Sequence, residues 1–134
     1  MTKLTKIEGV GEVYSAKLKE AGIDTVEKLL DAGATPKGRE TLEETTGIGH
    51  KLILEWVNLA DLMRISGVGE EYADLLEEAG VDTVKELRRR NAANLHAAMV
   101  EVNAEKNLVR RLPSQSQVAA WIEHAQTLEP KVTY

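Results

Sequence analysis

The chain of 134 residues contains no cysteine, no phenylalanine and only three prolines. Without cysteine, disulfides, thiolate zinc sites and cysteine nucleophiles are all excluded. Aromatic residues make up 4% of the chain and apolar residues 43%, so the core is expected to consist of Leu, Ile, Val and Ala. Such a composition favours helices packed on helices.

Long apolar runs and catalytic groupings of side chains are also missing. No stretch approaches the roughly 18 uncharged apolar residues of a membrane span, and the first residues lack the apolar run of a signal peptide. We therefore expect a cytoplasmic protein. No nucleophile and base pair is recognisable, and His50, His96 and His124 lack the spacing of metal ligands. The expectation is a non-enzymatic protein without cofactor, metal site or small-molecule substrate.

The charge balance limits the partners. The net charge is −5, which disfavours nonspecific attraction to nucleic acid, because phosphate binding requires concentrated Lys and Arg. Residues 1–63 carry 8 basic and 11 acidic side chains, and residues 64–134 carry 9 and 11. Neither half is basic, so any nucleic-acid site must be a local patch.

An internal repeat is the strongest signal in the sequence. Residues 7–11, Ile-Glu-Gly-Val-Gly, recur as residues 65–69, Ile-Ser-Gly-Val-Gly. The match continues through further positions, among them Tyr14 with Tyr72 and Leu29 with Leu87, and residues 20–22 and 24–26 recur as residues 78–80 and 82–84. After a small insertion in the second copy, Trp56 matches Trp121. The sequence therefore predicts two rigidly fused units, residues 1–62 and 63–130.

Each unit is predicted to contain about five short helices, which makes the fold class all-α. Residues that cap helices or open a capping box mark four helix starts: Asp24 with Glu27, Thr35 with Pro36, Thr83 with Glu86, and Ser114 with Gln117. From Lys51 to Arg64 no breaker occurs and the helix is apolar nearly all round. We predict one continuous helix over this span, shared by the two units. A helix of the second unit is predicted to end near Arg90.

Three segments have a glycine, an apolar residue and a second glycine between two predicted helices: residues 9–11, 47–49 and 67–69. The first glycine permits positive φ where a helix ends, and the second lets the backbone approach a partner closely. The apolar residue between them packs into the core. Free N–H groups at the start of the following helix could hold a phosphate, but the same turn could also be a tight connection without a ligand.

These motifs resemble those of known helix-hairpin-helix proteins. Residues 3–63 resemble the five-helix, double-hairpin domain at the amino terminus of archaeal strand-exchange recombinases, in the run from Gly9 to Gly22 and at residues 47–49. Residues 5–129 resemble the family catalogued as domain of unknown function 4332. That second likeness is carried by residues 65–69, 79–84, 89–91 and 121–122. The resemblance implies a tandem helix-hairpin-helix fold and, from the wider superfamily, sequence-independent contact with nucleic-acid backbones.

Charge distinguishes the turns. Glu12 follows Gly11, and Glu70 with Glu71 follows Gly69, so a carboxylate would occupy the space that a phosphate needs. The glycines of these first turns are therefore predicted to be structural: Gly9, Gly11, Gly67 and Gly69. The second turn is basic, and its counterpart in the second unit carries two arginines. The predicted nucleic-acid-binding residues are Gly47, Ile48, Gly49, His50, Lys51, Arg110, Arg111 and Ser114.

Two functions remain open at this point. One is a nucleic-acid module that grips backbones without reading bases. The other is a protein-interaction or assembly module whose acidic first turns face a partner. The basic run Arg88–Arg90 either extends a phosphate-binding surface or complements a helix dipole. Trp56 and Trp121 are expected to pack between the units rather than stack on bases.

Overall fold

A computed structural model describes residues 2–7 and 9–134, so Met1 and Glu8 lie outside the described residues. The described chain begins with one turn of 3-10 helix, Leu4–Lys6, and continues in α-helices. These are α1 (Glu12–Glu20), α2 (Val26–Gly33), α3 (Pro36–Thr46), α4 (His50–Leu62), α5 (Glu70–Glu78), α6 (Val84–Leu87), α7 (Ala92–Lys106) and α8 (Gln115–Thr127). The predicted all-α class is confirmed. None of the helices in the described part of the chain is long and apolar enough to span a membrane.

The chain divides into two compact units. The first unit consists of Met1–Asp61 together with Lys131–Tyr134, and the second consists of Leu62–Pro130. The boundary lies next to the one predicted between residues 62 and 63. The sequence did not indicate that residues 131–134 belong with the first unit.

The helix predicted over Lys51–Arg64 ends earlier than expected. α4 ends at Leu62, and the two residues after it form a turn. The hydrogen bonding changes at this point: the Ile65 N–H donates to the Leu62 carbonyl, which is three residues earlier and not four (3.1 Å). This tighter spacing is common at helix ends.

Three of the four predicted helix starts are confirmed. In each, a hydroxyl accepts a hydrogen bond from the N–H three residues later, which satisfies one of the free donors of the first turn. These N-caps are Thr35 before α3, Thr83 before α6 and Ser114 before α8. Ser114 forms a complete capping box, since its own N–H donates to the Gln117 side chain (3.0 Å).

The helix start predicted at Asp24 is wrong by one residue. The N-cap of α2 is Thr25, whose hydroxyl accepts from the Lys28 N–H (3.1 Å). Asp24 instead pairs with the Lys28 ammonium group (2.8 Å), and the hydrogen bond from this lysine lowers the pKa of Asp24. Asp and Thr both cap helices, so the local sequence could not decide between two neighbouring candidates.

The first helix of each unit ends in the same way. After α1, Gly22 has a φ of 86°, and the Ile23 N–H donates to the Leu18 carbonyl (2.9 Å). After α5, Gly80 has a φ of 98°, and an equivalent bond of 2.9 Å is formed. This is the Schellman motif, which favours glycine because positive φ carries no side-chain clash there. The repeat in the sequence is thus a repeat of backbone geometry.

Each unit contains a Trp–Tyr pair. Trp56 of α4 is 1% exposed, and its ring centroid lies 5.0 Å from that of Tyr14 of α1. Trp121 of α8 is also buried, with its centroid 5.2 Å from that of Tyr72 of α5. Both pairs are tilted, as aromatic pairs commonly are. Each tryptophan therefore packs on the first helix of its own unit, and its burial leaves no ring face for stacking on a base.

Replacing Trp56 with Ala should lower the free energy of unfolding by about 3–5 kcal/mol, because it removes a large buried side chain and leaves a cavity. Val13→Ala is the matched control, since Val13 lies on α1 near Tyr14 but is 70% exposed. The control should change stability by less than about 0.5 kcal/mol. Denaturant melts measure both variants, and a near-neutral Trp56→Ala would show that the ring is not part of the core.

A close approach of α2 and α3 depends on Gly38. A Cβ atom at this position would lie 2.1 Å from the carbonyl oxygen of Ala32, so the backbones can keep this distance only without a side chain. The two helices meet here at the corner formed by residues 33–36, where α2 ends and α3 begins.

Gly38→Ala should destabilise the protein by about 1–3 kcal/mol, the usual range for overpacking, although alanine favours helix over glycine by up to about 1 kcal/mol. Lys37→Ala is the control, because Lys37 precedes Gly38 on α3 and its side chain is exposed. Denaturant melts should separate the two variants. Equal stability would contradict the packing described for Gly38.

Candidate functional site

The two first turns, Gly9–Gly11 and Gly67–Gly69, have nearly the same backbone. Gly9 and Gly67 have φ values of 89° and 90°, and the valine that follows each of them is buried. A Cβ on Gly9 would lie 3.4 Å from Trp56 Nε1, and a Cβ on Gly67 would lie 3.3 Å from Trp121 Nε1. Gly9 and Gly67 therefore each have a conformational and a packing reason for glycine. Gly11 and Gly69 have neither, because their φ is negative and a Cβ there would meet no atom within 4 Å.

The second turn of the first unit, Gly47–Lys51, is called the basic turn here. Gly47 has a φ of 72°, and its N–H donates to the Glu43 carbonyl at the end of α3 (2.9 Å). Ile48 is 2% exposed and anchors the turn in the core. α4 then begins, with the Ile53 N–H donating to the Gly49 carbonyl (3.2 Å). The N–H groups of the first turn of α4 precede this bond, so no carbonyl within the helix can accept from them.

The charges around the basic turn are mixed. His50 and Lys51 are exposed on the first turn of α4, where the positive end of the helix dipole adds to their charge. His50 Nδ1 lies 3.9 Å from Glu43 Oε2, with both side chains about half exposed. The basic turn therefore presents a cation and a helix amino end with one carboxylate beside them.

The counterpart in the second unit is the arginine loop, Asn107–Ser114, between α7 and α8. It contains no glycine, and Asn107 adopts the left-handed conformation instead, with a φ of 50°, which asparagine tolerates better than most residues. Arg110 and Arg111 are both exposed. The arginine loop therefore has a different backbone conformation from the basic turn, although each lies directly before the last helix of its unit.

Side chains from two helices hold the arginine loop in place. Asn103 of α7 makes two bonds to Val109, accepting from its N–H (2.9 Å) and donating to its carbonyl (3.3 Å). The Tyr72 hydroxyl donates to the Arg111 carbonyl (2.9 Å), and His96 Nε2 lies 2.9 Å from the Pro113 carbonyl oxygen. The two arginines are therefore carried on a backbone with several fixed points.

Ser114 has its N–H and its hydroxyl oxygen engaged in the capping box of α8. Its N–H donates to Gln117, and its hydroxyl accepts from the Gln117 N–H (3.1 Å). Of the four free donors at a helix amino end, this leaves the N–H groups of Gln115 and Ser116. A phosphate at this end of α8 would meet those two amides rather than Ser114 itself.

The basic run Arg88–Arg90 is placed differently from its prediction. α6 ends at Leu87 rather than near Arg90. The Arg88 N–H still donates to the Val84 carbonyl four residues back, but the Arg89 and Arg90 N–H groups donate to carbonyls three residues back, those of Glu86 and Leu87 (3.2 and 3.1 Å). The Arg90 guanidinium pairs with Glu86 (3.0 Å) and donates to the Gly80 carbonyl (2.8 Å). Arg90 therefore closes the end of α5, which agrees with a structural contribution at a helix carboxyl end.

Charge clusters and histidines outside these turns have local partners. Carboxylate oxygens of Asp74, Glu77 and Glu78 lie within 4.8 Å of one another, and the sequence did not single them out. The Lys106 ammonium pairs with Glu78, whose hydrogen bond raises the pKa of this lysine. His124 Nδ1 accepts from the Ser66 N–H (3.1 Å). The contacts of these groups stabilise the second unit.

Asn103→Ala should loosen the arginine loop, because it removes both bonds to Val109. We expect a loss of about 1–3 kcal/mol in unfolding free energy and exchange of the Val109 amide proton about tenfold faster or more. Asn94→Ala, at an exposed position of the same helix, is the control and should leave Val109 unchanged. Hydrogen exchange by nuclear magnetic resonance checks this, and unchanged exchange at Val109 in Asn103→Ala would rule out the fixed loop.

Comparison with known proteins identifies the family but no further relative. The family described as "Domain of unknown function (DUF4332)" matches residues 8–128. This is nearly the whole sequence, so the chain belongs to that family. No curated protein and no solved structure matches it. The description of the family names no activity, and a function has to be argued from the geometry.

Proposed function

We propose that this member of the family is a cytoplasmic, non-enzymatic binding module of two tandem helix-hairpin-helix units that holds nucleic-acid backbones without reading bases. The basic turn is the observation that carries the proposal. Its positive-φ glycine and its buried isoleucine precede the start of α4 at His50, where the first N–H groups have no acceptor within the helix. Phosphates bind to this arrangement in many proteins.

Lys51 and the arginine loop supply the remaining charge. Lys51 is a mobile cation beside the free amides of α4, and it suits a phosphate as a point charge. Arg110 and Arg111 can each form paired hydrogen bonds with phosphate oxygens, which is the geometry that guanidinium favours. Because several side chains hold the loop backbone, these arginines lose less conformational freedom on binding than they would on a mobile loop.

Acidic residues restrict where nucleic acid can bind. Glu12 and Glu70 begin α1 and α5 directly after the first turns, so these two helix ends are already next to a carboxylate. Of the four turns in the two units, only the basic turn and the arginine loop remain as places where a phosphate can bind. Few phosphates would be neutralised, and with about two to four contacts the logarithm of affinity should fall against that of salt with a slope of about −2 to −4.

Charge reversal tests this assignment. Lys51→Glu and Arg111→Glu should each reduce the salt slope by about 1, and the double variant should bind nucleic acid at least about tenfold more weakly. Glu12→Lys and Glu70→Lys should leave binding equal or make it tighter. Fluorescence anisotropy with duplex, branched and single-stranded DNA across a salt series measures all of these.

Matched controls separate a local effect from net charge. Lys37→Glu makes the same charge change in the first unit, but at the opposite end of α3 from the basic turn. Lys85→Glu does so on α6 of the second unit. Neither should weaken binding as Lys51→Glu and Arg111→Glu do, provided that melting curves show all variants folded. Equal losses in all four variants would remove the basic turn and the arginine loop from the proposal.

The second candidate is a protein-interaction or assembly module, and one observation favours it. Glu12 is followed by Val13, which is 70% exposed on the first turn of α1. An exposed apolar side chain next to a carboxylate suits a protein surface better than a phosphate. If the wild-type chain shows no salt-dependent association with any nucleic acid at low ionic strength, this candidate replaces the first.

A further inference from the structure

Residues 131–134 pack on the first unit, although about 70 residues of the second unit precede them in sequence. Each of the four has its own contact. Lys131 Nζ lies 2.9 Å from Asp31 Oδ1 of α2, and Val132 is 5% exposed. The Tyr134 hydroxyl donates to the Asn58 side-chain oxygen on α4 (3.0 Å). No local pattern in the sequence indicates these contacts.

The third residue, Thr133, is held by its backbone. Its N–H donates to the Ala34 carbonyl (2.8 Å), and its carbonyl accepts from the Arg39 guanidinium (2.6 Å). The backbone donor and the backbone acceptor of Thr133 are thus both hydrogen-bonded to the first unit. Recognition through the main chain, with separate places for the flanking side chains, is how extended peptides are bound in many complexes.

Arg39 of α3 is the centre of this surface. It is 2% exposed, and it donates to the Gly33 and Ala34 carbonyls at the end of α2 as well as to Thr133. Burial lowers the pKa of this arginine. The ring of Tyr134 lies over the guanidinium, 5.8 Å from ring centroid to Cζ. Among the buried side-chain polar atoms that the structure describes, Arg39 Nε is without a hydrogen-bond partner.

The contacts at the two ends of the segment are partly exposed. The Lys131–Asp31 pair is largely exposed on both sides, where ion pairs contribute little. Tyr134 is 67% exposed, although its hydroxyl bonds to the buried Asn58. Val132, the two backbone bonds of Thr133 and the Tyr134 hydroxyl bond are the main attachment. An attachment of this size allows the segment to leave and return without unfolding of the helices beneath it.

We propose that the surface of α2, α3 and α4 around Arg39 is a peptide-binding site, and that residues 131–134 are its ligand, bound reversibly within the same chain. The chemistry of the ligand is an extended segment of a basic residue, a small aliphatic residue, any residue and an aromatic residue with a hydroxyl group. This proposal does not depend on nucleic-acid binding.

The test uses the full chain with a released segment. Val132→Asp places a charge where the aliphatic side chain is buried, and burial of an unpaired charge is strongly unfavourable. The probe is a synthetic peptide of residues 129–134 (Glu-Pro-Lys-Val-Thr-Tyr) with an amidated end. Titrated at up to millimolar concentration, it should cause saturable shifts of the Ala34, Arg39 and Asn58 amide signals in the nuclear magnetic resonance spectrum of the variant.

Two comparisons make the result specific. The same peptide carrying Asp in place of Val132 should bind the variant at least about tenfold more weakly. The wild-type chain should bind the native peptide at least about tenfold more weakly than the variant does, because its own segment competes at high effective concentration. Absence of saturable shifts, or equal binding by both peptides or by both chains, would overturn the proposal.

A second variant covers the case in which Val132→Asp does not fold. Thr133→Pro removes the N–H that donates to Ala34 without adding a charge, because proline has no amide hydrogen. It should release the segment and accept the native peptide in the same titration. If both variants unfold, residues 131–134 are an integral part of the fold rather than a bound ligand, and the proposal is wrong.

Discussion

The contact between a tryptophan and a positive-φ glycine determines the arrangement within each unit. Trp56 lies against Gly9, and Trp121 lies against Gly67. Each tryptophan belongs to the last helix of its unit and each glycine to the first turn, so the contact joins the beginning of a unit to its end. A larger residue at the glycine would both strain the backbone and push on the indole ring.

Within each unit the first turn is acidic and the second is basic, and this difference carries the functional argument. Glutamates begin α1 and α5, whereas His50 and Lys51 begin α4, and two arginines precede α8. A helix amino end attracts an anion in either case. In the first turns the chain's own carboxylate is next to it, and in the second turns we propose that a bound phosphate takes that place.

Much of the fold could be predicted because helix starts and ends depend on neighbouring residues. Thr35, Thr83 and Ser114 were found as N-caps from the sequence, since a cap bonds to an N–H only three residues away. The errors have the same local origin. Asp24 and Thr25 are both good N-caps, and they are neighbours in the sequence. The sequence pattern does not show at which of the two α2 begins.

The sequence by itself determined the all-α class, the repeat and most of the helix starts, because hydrogen bonds between residues three or four apart encode them. Only the tertiary structure showed that Tyr72 of α5 holds the arginine loop, through a hydrogen bond to the Arg111 carbonyl 39 residues away. It alone placed Thr133 on Arg39, 94 residues away. Contacts so distant in sequence depend on how whole helices pack, and no local pattern records that.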